Sequence, residues 1–141
     1  MRFMWLAILS VLFLQACANQ SSNKIKRYTI NPWEKEIGYV EVAQVGSSYY
    51  ISGVACSGEN YQAAVSSCYK EIGAILTRLH LTPQHIVKET VYARDIEKFK
   101  EQIEQRKQFY GNDNYPAATW VQIDRLYLED HLVEIELIVQ K

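Results

Sequence analysis

Residues 132–139 (Leu-Val-Glu-Ile-Glu-Leu-Ile-Val) constrain the fold more than any other stretch of the chain. Side chains alternate across a strand, so Val133, Ile135, Leu137 and Val139 share one face. Leu132, Glu134, Glu136 and Ile138 share the other. The first face is wholly apolar and needs helices to cover it. The second mixes apolar and acidic groups, so it is either wet or covered by another subunit. A strand of this kind belongs to a sheet with helices packed on one face only.

The rest of the chain supplies such partners. Residues 27–30 read as a short first strand and 38–45 as a second. Gly46-Ser47-Ser48 is a hairpin turn leading into a strand at 49–55, rich in Tyr and Val. Residues 57–60 (Ser-Gly-Glu-Asn) break the chain and can cap a helix. The longest helical pattern covers 61–81, where Val65, Cys68, Ile72, Leu76 and Leu79 recur at steps of three and four. A strand follows at 86–93. Asp95 is a good N-cap for a second helix with Ile96, Phe99 and Ile103 as its apolar stripe. Residues 111–116 form a loop, 117–123 a strand, 127–131 a turn and 132–139 the last strand. The order (β)ββαβαββ predicts an α+β fold: a mixed sheet with two helices on one face. No internal repeat or low-complexity segment is present.

The first sixteen residues are of another kind. Met1-Arg2 is a short positive start, and residues 3–14 are apolar except for Ser10. Twelve such residues are too few for a spanning helix of about 20 and suit a signal-peptide core. The following Leu14-Gln15-Ala16-Cys17 resembles the lipobox of bacterial lipoproteins. The resemblance implies cleavage after residue 16, lipidation of Cys17 and anchoring in a bilayer. Ala18 in place of an Asp implies the outer membrane, facing the periplasm, in a Gram-negative cell. Residues 17–26 then form a polar tether, and 27–141 the domain. The mature chain has 125 residues and a net charge of −2, from 14 basic against 16 acidic side chains. That length holds one domain and no separate nucleotide-binding unit. Its near-neutral charge argues against a nucleic-acid partner held through phosphates.

Cys56 and Cys68 remain in an oxidising compartment, as a disulfide or as two buried thiols. Cys68 lies on the apolar helix face, and Cys56 in the connection before that helix. Two cysteines without further ligands at usable spacing make no zinc site, and neither a metal nor a cofactor is expected.

Several short motifs, in order, carry a wider resemblance. Pro32-Trp33-Glu34, Gly38-Tyr39, Val45-Gly46 and Tyr50-Ile51-Ser52-Gly53 resemble the opening of the Rid family, the YjgF family of enamine/imine deaminases. Val91-Tyr92 with Asp95, Tyr110-Gly111, Tyr115-Pro116-Ala117-Ala118-Thr119 and Val133-Glu134-Ile135-Glu136 match its later segments. The resemblance implies a Rid-like, chorismate-mutase-like fold and a homotrimer with a ligand cleft at each subunit interface. It places Tyr39, the backbone at Ser52 and Gly53, and the water-positioning Glu134 at that cleft.

One departure matters. Active deaminases of the family carry Pro-Ala-Arg-Ser/Thr where this chain has Pro116-Ala117-Ala118-Thr119. That Arg holds the substrate carboxylate through its guanidinium fork. Its loss at Ala118 removes a charge-assisted pair worth roughly 1.5–3 kcal/mol. Arg125 is at an odd offset and would point to the opposite face, and Arg94 ends another strand. With Glu134 and Glu136 on the open face, a small neutral or cationic ligand is favoured over an anion.

The candidates also have plainer readings. Tyr39 suits an interface aromatic, Ser52-Gly53 a tight strand end, and Glu134 or Glu136 an inter-subunit carboxylate. Trp120 shares a face with Ala118 and either fills the vacated space or stacks on a ligand. His80, His85 and His131 are scattered between elements and read as structural or surface residues. Family members have been called ribonucleases, but no basic patch supports that here. Three functions stay in view: a binding module without deaminase chemistry, a hydrolase of enamines or imines lacking a carboxylate, and a structural envelope lipoprotein.

Overall fold

The strand carrying Val133, Ile135, Leu137 and Val139 lies inside the sheet, and all four side chains are buried. The computed structural model describes residues 24–111 and 113–141. The expected signal peptide, Cys17 and most of the expected tether lie outside the described residues. Six strands form one sheet: β1 (Lys26–Tyr28), β2 (Val42–Val45), β3 (Ser48–Cys56), β4 (Ile86–Ala93), β5 (Ala117–Gln122) and β6 (Val133–Gln140). Their spatial order is β1-β2-β3-β6-β4-β5, antiparallel except for the parallel pair β4 and β5. Every residue of the main core falls between Val42 and Val139, so a chain starting at residue 24 contains that core whole.

Four α-helices accompany the sheet: α1 (Pro32–Glu36), α2 (Tyr61–Arg78), α3 (Ile96–Lys100) and α4 (Ile103–Tyr110). The long helix α2 packs across β3 and β6, burying Val65, Cys68, Ile72 and Leu76. Asn60 caps it, its side chain accepting from Ala63 N at 2.9 Å. It ends at Arg78, earlier than the pattern suggests, because Leu79 is its C-cap and His80 takes a left-handed φ of 57°. The expected second helix is broken into α3 and α4 around Glu101 and Gln102, with Asp95 capping the first piece.

Helix α1 stands in a stretch where the sequence pattern assigns no element, and the strand expected at 38–45 is shorter than that pattern. Only Val42–Val45 pair as β2. Asn31, Pro32 and Glu34 form an N-terminal helix signature instead, with Pro at N1. The Glu34 carboxylate is fully buried and accepts from the backbone N–H of Ile30, Asn31 and Glu41. Gly38, at φ 74°, turns the chain out of this helix toward β2.

A second buried carboxylate ties the helices to the far edge of the sheet. Glu89 on β4 accepts from Tyr69 Oη of α2 at 3.0 Å and Tyr110 Oη of α4 at 2.8 Å. It also accepts from Arg106 Nε at 2.7 Å and Trp120 Nε1 of β5 at 3.3 Å. The Arg106 guanidinium lies 4.9–5.6 Å from the ring centres of Tyr110, Tyr115 and Trp120. Burial and the Glu89 charge push both tyrosine phenols well above their ordinary range. Removing one partner of such a pair strands the other charge, at a cost of about 3–5 kcal/mol. Chemical denaturation of Arg106→Ala should show a loss of that size, whereas Lys107→Ala, whose partner Glu104 is in water, should change stability little. Equal, small effects would mean that the Glu89 cluster does not hold the edge strand.

Cys56 ends β3, rather than sitting in the connection after it, and is joined to Cys68 of α2 with 5.6 Å between Cα atoms. The closed loop is short, so the staple is worth about 3 kcal/mol by chain entropy. A chain starting at residue 24 should show no titratable thiol in denaturant before reduction and two after it. Two thiols without reduction would mean that the pair stays open.

Candidate functional site

The open face of the sheet is shaped by an irregularity in β3. Ile51 pairs with Leu137 and Val54 with Ile135, so β3 uses three residues where β6 uses two. The extra residue is accommodated at Ser52-Gly53, a β-bulge, and bulges re-aim neighbouring groups. Three hydrogen bonds fix it. Ser52 N donates to Glu41 O at 2.9 Å, Ser52 Oγ to Val40 O at 2.8 Å, and Tyr39 Oη to Gly53 O at 3.2 Å.

Gly53 is required here for space. A Cβ at this position would collide with the Glu134 carboxylate and stand 2.7 Å from its Cγ. The Glu134 side chain therefore lies directly over the bulged backbone of β3. Burial raises its carboxyl above the ordinary range; the neighbouring His131 partly opposes this and Glu136 adds to it. Burial likewise pushes the Tyr39 phenol up to about 12.

Tyr39, Gly53 and Glu134 line a cleft of about 500 Å³ together with Trp33, Ile37, Ala55, Tyr127, Leu128 and His131. Such a volume is ordinary for a small-molecule site. Trp33 and Tyr39 stack tilted with centroids 5.4 Å apart. Trp33 is 48% exposed and Tyr127 76%, so the rim is apolar and open. A second hollow of about 350 Å³ shares Tyr39 and Gly53 and adds Tyr50, Ser52 and Glu136. No Lys or Arg lines either hollow. Among the described residues there is no cluster of three metal-ligating side chains, and no helix is long and apolar enough to cross a membrane.

The structure thus brings together four of the residues expected at a cleft: Tyr39, Ser52, Gly53 and Glu134. Ala118 and Trp120 stand elsewhere. They pair in register with Glu89 and Val91, both fully buried under the helices, so they lie on the helix face of β5. Trp120 is engaged by Glu89 and meets Phe99 edge to face at 5.4 Å, which makes it a packing residue within its own chain. Arg125 and Arg94 engage Glu129 on the surface and line neither hollow. His131, expected as a structural or surface residue, borders the cleft. The signal for it was its place in a turn with two apolar residues, Tyr127 and Leu128, that cover nothing.

Comparison with known proteins bears on this architecture. The family model described as Endoribonuclease L-PSP matches residues 29–141. The chain belongs to that family, which takes in the YjgF and Rid proteins. A RutC family protein of Aquifex aeolicus is 31% identical to this Rid-family chain, over 73% of its length and 88% of the relative's. A YjgF/YER057c/UK114 family member of Mycobacterium tuberculosis shares the fold with a TM-score of 0.75 at 23% identity, covering 84% of this chain and 100% of its own. RidA from an Antarctic Psychrobacter does so with a TM-score of 0.69 at 24% identity, covering 82% and 94%.

The bulge makes a direct prediction for the site. In carbon-detected NMR titration, Glu134 should ionise above the ordinary carboxylate range. Gly53→Ala should push the carboxylate into water and return its titration toward normal, with the fold kept. An ordinary titration in the unsubstituted protein would remove the case for a desolvated Glu134.

Proposed function

We propose that this Rid-family chain is a lipid-anchored binding module of the cell envelope that holds a small neutral or cationic metabolite and lacks deaminase activity toward 2-imino acids. The observation that carries this is the lining of the two neighbouring hollows, which share Tyr39 and Gly53 and, among the described residues, hold Glu134 and Glu136 and no Lys or Arg. A carboxylate substrate would enter a desolvated space facing like charge, without the guanidinium fork that active relatives use. The same lining argues against a phosphate-bearing ligand, and so against ribonuclease chemistry.

Anchoring rests on the order Leu14-Gln15-Ala16-Cys17 after an apolar core, with Cys17 lipidated and the domain facing the periplasm from the outer membrane in a Gram-negative cell. Assembly as a homotrimer rests on the family and on the surface. Trp33, Ile37, Tyr127 and Leu128 are exposed together at the cleft mouth, an apolar rim suited to a second copy. A partner's β5 edge, with Ala118 in place of the family's Arg, would then bring no cation to the neighbouring cleft.

A second reading is favoured by one observation. Glu134 is half-buried with a raised carboxyl, which is how a general base for water is prepared. In that case the chain hydrolyses an enamine or imine that carries no carboxylate.

The test is hydrolysis of 2-iminobutyrate followed at micromolar concentration of the chain starting at residue 24. No acceleration over the uncatalysed rate is expected. Measurable turnover, abolished by Glu134→Gln, would overturn the loss of deaminase function.

A further inference from the structure

The cleft has one polar residue that the family resemblance does not explain. His131 sits at its wall, in the turn before β6, and makes no side-chain hydrogen bond among the described residues. Its Nδ1 is buried and unpaired. A buried polar atom left without a partner is uncommon and calls for a reason. Packing alone gives a poor one, because an apolar residue would fill the same space without that cost.

The ring's state follows from its surroundings. An unpaired acceptor is tolerated in a protein interior more readily than an unpaired N–H. Neutral His131 therefore keeps its proton on Nε2, away from the buried Nδ1. Nε2 has no protein acceptor among the described residues, so it is free to donate to an occupant of the cleft.

The polar wall then has two parts of opposite kind. Glu134, near enough for His131 to act on its ionisation, accepts hydrogen bonds and attracts positive charge. His131 donates one. The remaining walls are the Trp33 and Tyr39 rings, Tyr127, Leu128 and Ile37, which suit a flat apolar body, and aromatic faces also favour a nearby cation.

We infer that the cleft binds an aromatic primary amine carrying a carbonyl or hydroxyl oxygen close to its nitrogen, with Glu134 taking the ammonium and His131 Nε2 reading the oxygen. This deepens the proposed binding function and rests on it: His131 is the specificity-determining residue for the oxygen, and the aromatic rim sets the apolar body. A free carboxylate in place of the amide or alcohol is rejected by Glu134 and Glu136.

Three probes that differ by one group each test the inference, by calorimetry on the chain starting at residue 24. L-phenylalaninamide has ring, ammonium and carbonyl. 2-Phenylethylamine lacks the carbonyl, and L-phenylalanine replaces the amide with a carboxylate. L-phenylalaninamide should bind best, with 2-phenylethylamine about 5- to 10-fold weaker, the size of one hydrogen bond. L-phenylalanine should be at least about 10-fold weaker than the amide, the loss expected for a carboxylate facing like charge. His131→Ala should abolish the preference for the amide over 2-phenylethylamine. His131→Gln, which keeps a donor, should retain part of the preference.

Equal binding of the amide and the plain amine, insensitive to His131→Ala, would overturn the role of His131 and leave the cation-binding cleft standing. Binding of L-phenylalanine as tight as that of its amide would overturn the proposed function as well. No binding of any probe at millimolar concentration would overturn the ligand class.

Discussion

A carboxylate can sit desolvated on the open face of a sheet only where the neighbouring strand gives way to it. Here β3 gives way at Ser52-Gly53. The bulge supplies an extra residue, and the missing Cβ of Gly53 supplies the space that the Glu134 side chain occupies. The rest of the site depends on this contact. Tyr39 is held to the bulge through Gly53 O, and the Tyr39 ring in turn orders Trp33. Helix α1 matters for the same reason, since Glu34 fixes the backbone that enters β2 and carries Tyr39 past the bulge.

Two of the sheet's carboxylates, Glu89 and Glu134, are treated in opposite ways. Glu89, on the helix face, is saturated by four donors from three different elements, the aromatic-packed Arg106 among them. That arrangement locks β5 and α4 to the sheet and leaves nothing over for a ligand. Glu134, on the open face, is left with His131 and Glu136 beside it and an apolar rim around it. The first carboxylate stabilises and the second is available. The cation that could have balanced the second is absent from its cleft.

Much of this was legible in the sequence, and the rest was hidden for identifiable reasons. Alternation at 132–139 and the spacing at 61–81 gave the core faces, because burial imposes period two or 3.6 wherever one side of an element is apolar. Tyr39, Ser52, Gly53 and Glu134 could be named because short motifs stand at those positions. The bulge could not be read, since one additional residue in a strand leaves no compositional mark beyond a glycine. It also reverses the parity on which any alternation argument for β3 depends. Trp120 was ambiguous because its face is decided by β4, where Glu89 is a buried charge in an otherwise ordinary strand pattern. Helix α1 is hard to read although Asn31-Pro32-Trp33-Glu34 carries a capping pattern, because five residues are too few to display a helical period. His131 stands only three residues before Glu134, but that both face one cleft depends on the turn preceding β6, which the strand pattern does not reveal.

The cleft holds acidic side chains and, among the described residues, no Lys or Arg to balance them. Trp33, half-exposed at its mouth, is a natural reporter, and Trp120 is the other tryptophan of the described chain. Fluorescence quenching by caesium and by iodide, with Trp33→Phe as the blank, measures the local potential at low ionic strength. Caesium should quench Trp33 more efficiently than iodide, relative to free tryptophan, and Glu134→Gln should narrow the difference. Iodide quenching equal to or stronger than caesium quenching would contradict a negatively charged cleft.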